Sequence, residues 1–314
     1  MPENKLLSII LLSYYSKQRI INVYNKVNEL LTRENIPFEL IVMDDGSKDE
    51  SYATALKLEQ NTTNVFAYQL SRNYTSHYSI FAGLSVCKGQ CAMAIPDDEQ
   101  QPYFLIVEMY RLWEKGHQVI LPYRTTRNDP FFSKMFSTLY YQIMNSLSVV
   151  SFPLGGADTF FVDREIIDIL NKNIHPINTS SITEVLRLGF SPHFLPYERP
   201  RGVNSKSRWT FRKKLKLAAD TFFSCSTIPI KAITYLGFFF SGTAFLLALF
   251  YTYIKLFGNP AFWGDFPAGW VSLVLLIVFF GGAILLSIGV LAEYIWRIYE
   301  EVKNRPGYII KQKK

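Results

Sequence analysis

The sequence predicts an α/β domain with a mainly parallel sheet, followed by a two-helix hairpin that crosses a membrane. Two observations lead to this architecture. Over residues 6–121, short apolar runs alternate with amphipathic segments, which is typical of βαβ units. Nearer the C-terminus, residues 232–254 and 266–292 form stretches of 23 and 27 residues without Asp, Glu, Lys, Arg or His.

The predicted strands and helices follow each other in a regular order. The apolar run at residues 6–12 suits a strand covered on both faces. Residues 17–33 place Ile20, Val23 and Val27 at helical spacing. The same patterns predict strands at residues 38–43, 65–70, 91–95 and 119–121, helices at 49–60, 76–87, 103–115 and 132–147, and a short strand or loop at 155–162. In such sheets, ligands bind beyond the carboxyl ends of the strands.

Each uncharged stretch is long enough to span a bilayer, because a membrane helix needs about 20 apolar residues. Two buried core helices are the alternative, although core helices rarely run so far without a charge. The predicted domains are a head at residues 1–205, a basic amphipathic juxtamembrane helix at 206–228, two transmembrane helices within 229–292 and a tail at 293–314. Small residues in the second stretch would permit a homo-oligomer.

The positive charge of the chain is concentrated beside the two uncharged stretches. Residues 1–198 carry 17 Lys or Arg against 21 Asp or Glu, whereas residues 199–314 carry 16 against 5. This distribution indicates a membrane surface as the partner, not nucleic acid. Lys and Arg near membrane helices stay in the cytoplasm, and the loop at 257–265 has neither. We therefore expect a multi-pass protein with both termini cytoplasmic, and its size favours a bacterial plasma membrane.

Two acidic clusters follow predicted strands. Asp44 and Asp45 begin an Asp-Asp-Gly-Ser turn after the second strand, and Asp97 and Asp98 follow the fourth. Asp-Gly alone is usually a solvated turn. Two such clusters that converge at one crevice would repel each other unless a cation or hydrogen-bond donors offset them. Oxygen ligands of this kind suit Mg²⁺ or Mn²⁺ with phosphate. The sequence has no Gly-rich dinucleotide fingerprint and no P-loop, which argues against both of those functions.

Seven short motifs, in the right order, resemble those of the membrane-anchored family 2 glycosyltransferases, which have the GT-A fold. This branch includes polyprenyl-phosphate (bactoprenol) glycosyltransferases and dolichyl-phosphate mannose synthases. The motifs are residues 44–47, 70–74 and 82–84, Asp98 with Gln100 and Pro102, Asp158 with Arg164, residues 205–209 with 213–217, and residues 305–309. Five positions depart from the family pattern. Pro96 replaces the first Asp of the metal motif, Phe160 replaces an Arg, and Leu12, Tyr15 and Ser16 replace the Pro, Asn and Glu that usually follow the first strand.

The resemblance implies an inverting enzyme that moves one sugar from a UDP- or GDP-linked donor to polyprenyl phosphate, such as undecaprenyl phosphate, at the cytoplasmic membrane face. It implies Mg²⁺ or Mn²⁺ as cofactor. The implied site residues are Asp44, Asp45, Arg72 and Asp97 for the nucleotide sugar, Asp98 and Gln100 for the metal, and Asp98 and Asp158 for catalysis. A structural capping role is the alternative for Asp158.

The segment at residues 199–216 contains eight Lys or Arg and no acidic residue. Since Arg makes bidentate contacts with phosphate, a lipid phosphate at the membrane surface would suit this segment. The predicted acceptor-phosphate residues are Arg199, Arg201, Lys206 and Arg208. For residues 212–216 a positively charged membrane anchor is an equal alternative.

Two other functions stay open at this point. A processive polysaccharide synthase carries a Gln-x-x-Arg-Trp signature, but Ser205 stands where its Gln would be, before Arg208 and Trp209. A non-catalytic membrane scaffold would explain Pro96 and Phe160, although it would have no use for the acidic and basic clusters together.

Overall fold

Strands and helices alternate along the first half of the chain, as predicted. The computed structural model describes residues 5–98, 101–125, 157, 159–177 and 179–198, scattered positions from 233 to 257, the backbone of residues 270–303, and residues 305–312. The strands are β1 (Leu7–Ser13), β2 (Phe38–Asp44), β3 (Val65–Gln69), β4 (Cys91–Pro96), β5 (Val119–Arg124), β6 (Phe161–Asp163) and β7 (His193–Tyr197). The helices are α1 (Arg19–Arg33), α2 (Ser51–Asn61), α3 (Ser76–Val86), α4 (Phe104–Glu114), α5 (Arg164–Asn173), α6 (Ser181–Arg187) and α7 (Trp270–Val302).

The described strands form one seven-stranded sheet in the order β3-β2-β1-β4-β6-β5-β7. β1 pairs in parallel with β2 and β4, and β2 pairs in parallel with β3, so the carboxyl ends of these strands share one edge. This confirms the predicted α/β class with a mainly parallel sheet. The exception is β6, which lies antiparallel between β4 and β5. It overlaps the short strand or loop predicted at residues 155–162, but three residues carry too little periodicity to fix its bounds or its direction.

Both faces of the sheet are covered, which explains the unbroken apolar run in β1. Ile9 and Leu11 face a core layer that includes side chains of α1 and α4. Ile10 faces the opposite layer, which includes side chains of α3, α5 and α6. Cys87 and Cys91 are buried free thiols.

The second uncharged stretch forms most of α7, which continues beyond residue 292 to Val302. Among the described residues, its segment Phe279–Val302 is the one helix long and apolar enough to cross a membrane. Large apolar side chains on α7, such as Ile277 and Leu285, are 63% and 71% exposed. A core helix of a soluble domain would bury them. The described positions between 233 and 257, mostly within the first stretch, are helical, whereas the helices predicted at 132–147 and 206–228 lie outside the described residues.

The chain forms two compact units, and the second interrupts the first. One unit comprises Met1–Cys225 with Asn304–Lys314, and the other comprises Ser226–Lys303. The tail therefore belongs to the head. Ile310 pairs antiparallel with Leu70 just beyond β3, and Tyr308 and Ile310 pack against the core layer that contains α3.

Candidate functional site

The turn after β2 is organised by the buried carboxylate of Asp44. Its Oδ2 accepts hydrogen bonds from the backbone amide of Ser47 at 3.0 Å and from Nε2 of Gln69 at 2.9 Å. The Ser47 hydroxyl donates to Oδ1. Gly46 in this turn has φ of +70°, and a Cβ there would lie 2.5 Å from the carbonyl carbon of Arg72. The turn thus requires glycine, both for its dihedral angle and for the close passage of the two backbones.

Asp45 holds the segment that follows β3. Its two oxygens accept the backbone amides of Tyr74 at 2.7 Å and Thr75 at 3.0 Å. Thr75 has φ of +87°, a region that β-branched residues rarely adopt. The exposed guanidinium of Arg72 stacks on the Tyr74 ring at 4.5 Å. Asp45 and Arg72 are both predicted to bind the nucleotide sugar. They are connected through Tyr74, whose amide binds Asp45 and whose ring contacts Arg72.

Asp97, just after β4, is buried and contacted by groups from the loop after β1 and from the start of α1. The Ser16 hydroxyl donates to its Oδ2, and a terminal nitrogen of Arg19 lies 3.2 Å from the same oxygen. Its neighbour Asp98 is half-buried. The predicted contact of Asp97 with a nucleotide sugar stays a prediction, because its described partners are protein groups.

The loop after β1 joins the two acidic clusters. β1 lies between β2 and β4 in the sheet, with Ser13 beside Asp44 and Leu12 beside Pro96. The amide of Tyr15 donates to the Ser47 hydroxyl at 3.0 Å. The amide of Ser16 donates to the Ser51 hydroxyl at 2.7 Å. Hydrogen bonds therefore run from the Asp44 turn to Asp97.

Sequence reasoning missed the serines of this loop and turn as organising residues. Ser16 stood out only as a departure from a family pattern, and Arg19 was counted among the residues of a helix. The available signal was a run of hydroxyl side chains directly after two buried strands, since a serine there must find a hydrogen-bond partner. Its partner is set by tertiary structure.

Asp158 lies outside the described residues, but Ala157 and Thr159 on either side of it are described. Thr159 donates from its hydroxyl to the carbonyl of Ala94 in β4, and Ala157 bridges to Tyr123 in β5. Phe160, which replaces a family Arg, is buried in the core. Arg164 binds the carbonyl of Gly89 at 2.8 Å, at the opposite end of β4 from Asp97. It therefore holds the turn before β4.

The remaining predicted site residues lie outside the described part of the chain: Gln100, Arg199, Arg201, Lys206 and Arg208. Among the described residues, no three Asp, Glu, His or Cys side chains converge on a possible metal. Magnesium commonly binds through one or two carboxylates and completes its shell with water and substrate phosphate. The half-buried Asp98 follows β4 at the carboxyl edge of the sheet, and it would supply one such carboxylate.

Comparisons with known proteins agree with this architecture. The model for "Glycosyl transferase family 2" matches residues 8–169. The chain is 30% identical over 305 residues to the "Uncharacterized glycosyltransferase YkcC" of Bacillus subtilis (strain 168), covering 96% of this chain and 93% of that protein. It is 29% identical over 309 residues to the "SfII prophage-derived bactoprenol glucosyl transferase" of Shigella flexneri, covering 98% and 97%.

One solved structure similar to this chain is glucosyl-3-phosphoglycerate synthase from Mycobacterium tuberculosis in complex with phosphoglyceric acid. The TM-score is 0.50 at 17% identity, covering 70% of this chain and 80% of that one. At this identity the likeness concerns the fold alone, and it agrees with the predicted GT-A-like arrangement.

Proposed function

Because this chain belongs to glycosyltransferase family 2, we propose that it transfers one sugar from a nucleotide sugar to polyprenyl phosphate. The observation that carries the proposal is the pair of acidic turns, Asp44–Asp45 and Asp97–Asp98, joined by the loop after β1 at the carboxyl edge of the sheet. Similarity over nearly the whole chain to a bactoprenol glucosyl transferase supports the acceptor.

The proposed reaction is a single displacement. An oxygen of the acceptor phosphate attacks the anomeric carbon and forms the new carbon–oxygen bond. The bond from that carbon to the donor diphosphate breaks, and its electron pair leaves with the nucleoside diphosphate, so the configuration inverts. A phosphate monoester has a second pKa near 6 and is mostly dianionic at neutral pH. It therefore needs positioning and charge relief more than a general base.

Arg72 and the acidic turns would hold the donor. The guanidinium of Arg72 is exposed above Tyr74 and offers several N–H donors to a diphosphate. We propose that Asp98 and Gln100 hold Mg²⁺ or Mn²⁺, which would offset the charge of the leaving diphosphate. Asp158 would orient the sugar, since its neighbours contact the C-terminal halves of β4 and β5.

The acceptor phosphate would meet the basic segment that begins at residue 199. β7 pairs in parallel with β5 and ends at Tyr197, so the chain leaves the sheet at an edge shared with the end of β5. β5 and β4 both pair antiparallel with β6, so β4 ends at that same edge. The order of the strands thus supports a role for Arg199, Arg201, Lys206 and Arg208 near the acidic turns.

We also propose that the protein crosses the plasma membrane twice, with its catalytic domain and both termini in the cytoplasm. The tail at residues 305–312 packs on the same domain that the chain leaves near Cys225. A chain that departs from one side of a membrane and returns to it must cross an even number of times. If α7 is one crossing, the uncharged stretch at residues 232–254 would be the second.

Transfer from labelled nucleotide sugars to undecaprenyl phosphate tests the proposal. The detergent-purified full chain is incubated with UDP-glucose, UDP-N-acetylglucosamine or GDP-mannose. A lipid carrying one sugar, formed from one donor, is the expected product. A polymer would instead indicate a processive synthase, and a protein that binds no nucleotide would be a scaffold.

A further inference from the structure

The C-terminal tail reaches the acidic turn through two side chains. Nζ of Lys311 donates to Oε1 of Gln69 at 2.9 Å, and Nε2 of Gln69 donates to Oδ2 of Asp44 at 2.9 Å. Lys311 is the seventh residue of the described tail at 305–312, and Asp44 begins the turn after β2. A residue from the far end of the chain thus lies one side chain away from the proposed donor site.

The two contacts select the same orientation of the Gln69 amide. A lysine ammonium can only donate, so it requires the amide oxygen. A carboxylate can only accept, so it requires the amide nitrogen. If the Gln69 amide were flipped, its nitrogen would face Lys311 and its oxygen would face Asp44, and both hydrogen bonds would be lost. In the observed orientation, the oxygen of Asp44 that accepts from Gln69 also accepts from the Ser47 amide.

The backbone of the tail holds the next part of the site as well. The amide of Ser71 donates to the carbonyl of Ile309 at 2.8 Å, and the amide of Lys311 donates to the carbonyl of Gln69 at 2.8 Å. Arg72 follows directly after Ser71. The tail therefore acts as a short outer strand along the segment that runs from β3 to Arg72.

Three residues fix the register of this strand. Tyr308 and Ile310 pack against the core layer that contains α3. The Tyr308 hydroxyl donates to the carbonyl of Phe81 at 3.3 Å, and burial raises the pKa of that phenol. Gly307 lies so close to the carbonyl oxygen of Pro176 that a Cβ would come within 2.4 Å of it. These contacts fix the backbone of the tail, and therefore they place Lys311 beside Gln69.

We propose that Lys311 is a positioning residue for the donor site, acting through Gln69 on Asp44. Donor binding would then depend on the tail, which follows α7 in sequence, being correctly packed on the head domain. This inference rests on the proposed function, because it assumes that the Asp44 turn binds the donor nucleotide.

The test compares Lys311→Met with Lys311→Arg in the full chain, using Lys172→Met, an exposed lysine on α5, as the matched control. We expect Lys311→Met to raise the donor KM and the Kd for UDP or GDP by about threefold to tenfold, with kcat changed by less than about twofold. Lys311→Arg keeps a donor-only cation and should restore both values.

A double-mutant cycle separates this role from general support by the tail. In a Gln69→Leu background, Lys311→Met should have no further effect on KM, since the connection to Asp44 is already broken. Additive effects, failure of Lys311→Arg to rescue, or an unchanged KM in Lys311→Met would overturn the inference. Wild-type protein that neither binds nucleotide nor forms product would instead overturn the proposed function.

Discussion

The Ser16 hydroxyl donates a hydrogen bond to the buried carboxylate of Asp97, and so connects the loop after β1 with the end of β4. Arg19 approaches the same carboxylate oxygen from the first turn of α1, at 3.2 Å. The cluster places a cationic group beside a residue that was expected to bind substrate.

Replacing Arg19 with Met should destabilise the head domain. The buried Asp97 would lose the cationic partner whose nitrogen lies 3.2 Å from its carboxylate, and charged contacts of this kind contribute about 1.5–3 kcal/mol. Thermal unfolding of the purified chain would show a lower midpoint. The double variant Arg19→Met with Asp97→Asn should recover part of the loss, because the neutral amide needs less compensation. A double variant as unstable as the sum of the single variants would contradict this coupling.

Gly46→Ala should impair nucleotide binding more than a glycine replacement elsewhere. The new Cβ would combine a positive φ of +70° with a 2.5 Å approach to the Arg72 backbone, so the turn must shift. Gly189→Ala is the matched control, since Gly189 has φ of +80° and nothing within 4 Å of the added carbon. Both variants should lose about 1 kcal/mol of stability from the dihedral angle. Only Gly46→Ala should weaken UDP or GDP binding, as measured by calorimetry.

Acid should destabilise the protein in part through His77. Burial lowers the pKa of this imidazole from 6.5 to about 4, beside the Ser181 hydroxyl at 3.3 Å. Between these two pKa values the unfolded chain binds a proton that the folded chain does not, so stability falls as pH decreases from 6.5 toward 4. The slope from one such group is at most about 1.4 kcal/mol per pH unit, because the unfolded chain binds at most one more proton at His77 than the folded chain does.

His77→Gln removes this contribution, so its melting temperature should fall less than that of the wild type between pH 7 and pH 5. His175→Gln, at an exposed position, serves as the control and should keep the wild-type slope. Equal slopes for wild type and His77→Gln would show that this imidazole does not titrate as described.

Asp98→Asn should abolish transfer while leaving the fold intact. The half-buried carboxylate is the described candidate ligand for the proposed cation, and an amide is a poorer ligand for Mg²⁺ or Mn²⁺. We expect transfer to fall by at least about a hundredfold, comparable with EDTA treatment of the wild type. Asp168→Asn on α5 is a suitable control. Wild-type activity that survives EDTA would point to a metal-independent site.

Local pattern was sufficient for most of the fold. Periodicity and apolar runs are properties of neighbouring residues, so the strands β1 to β5 and the helices α1 to α4 could be placed within a few residues. For β6 the pattern predicts only a short strand or loop at 155–162, because three residues do not define a period and the antiparallel position of this strand depends on both β4 and β5. The helices α5 and α6 and the strand β7 were not assigned either. In α5 the helical spacing of Ile166, Ile167 and Leu170 was overlooked, whereas α6 and β7 are only seven and five residues long and carry little periodicity.

The sequence by itself determined the α/β class, the uncharged stretches, and Asp44, Asp45, Asp97 and Asp98 as candidate site residues, and its resemblance to a family motif added Arg72. Each of these depends on residue type and short-range order. Only the tertiary structure decided which partner each carboxylate has: Ser16 and Arg19 for Asp97, the Tyr74 and Thr75 amides for Asp45, and Gln69 for Asp44. It also brought Lys311 to Gln69 across 242 positions of sequence. Such contacts are selected by packing and hydrogen-bond geometry between distant segments, which no local pattern encodes.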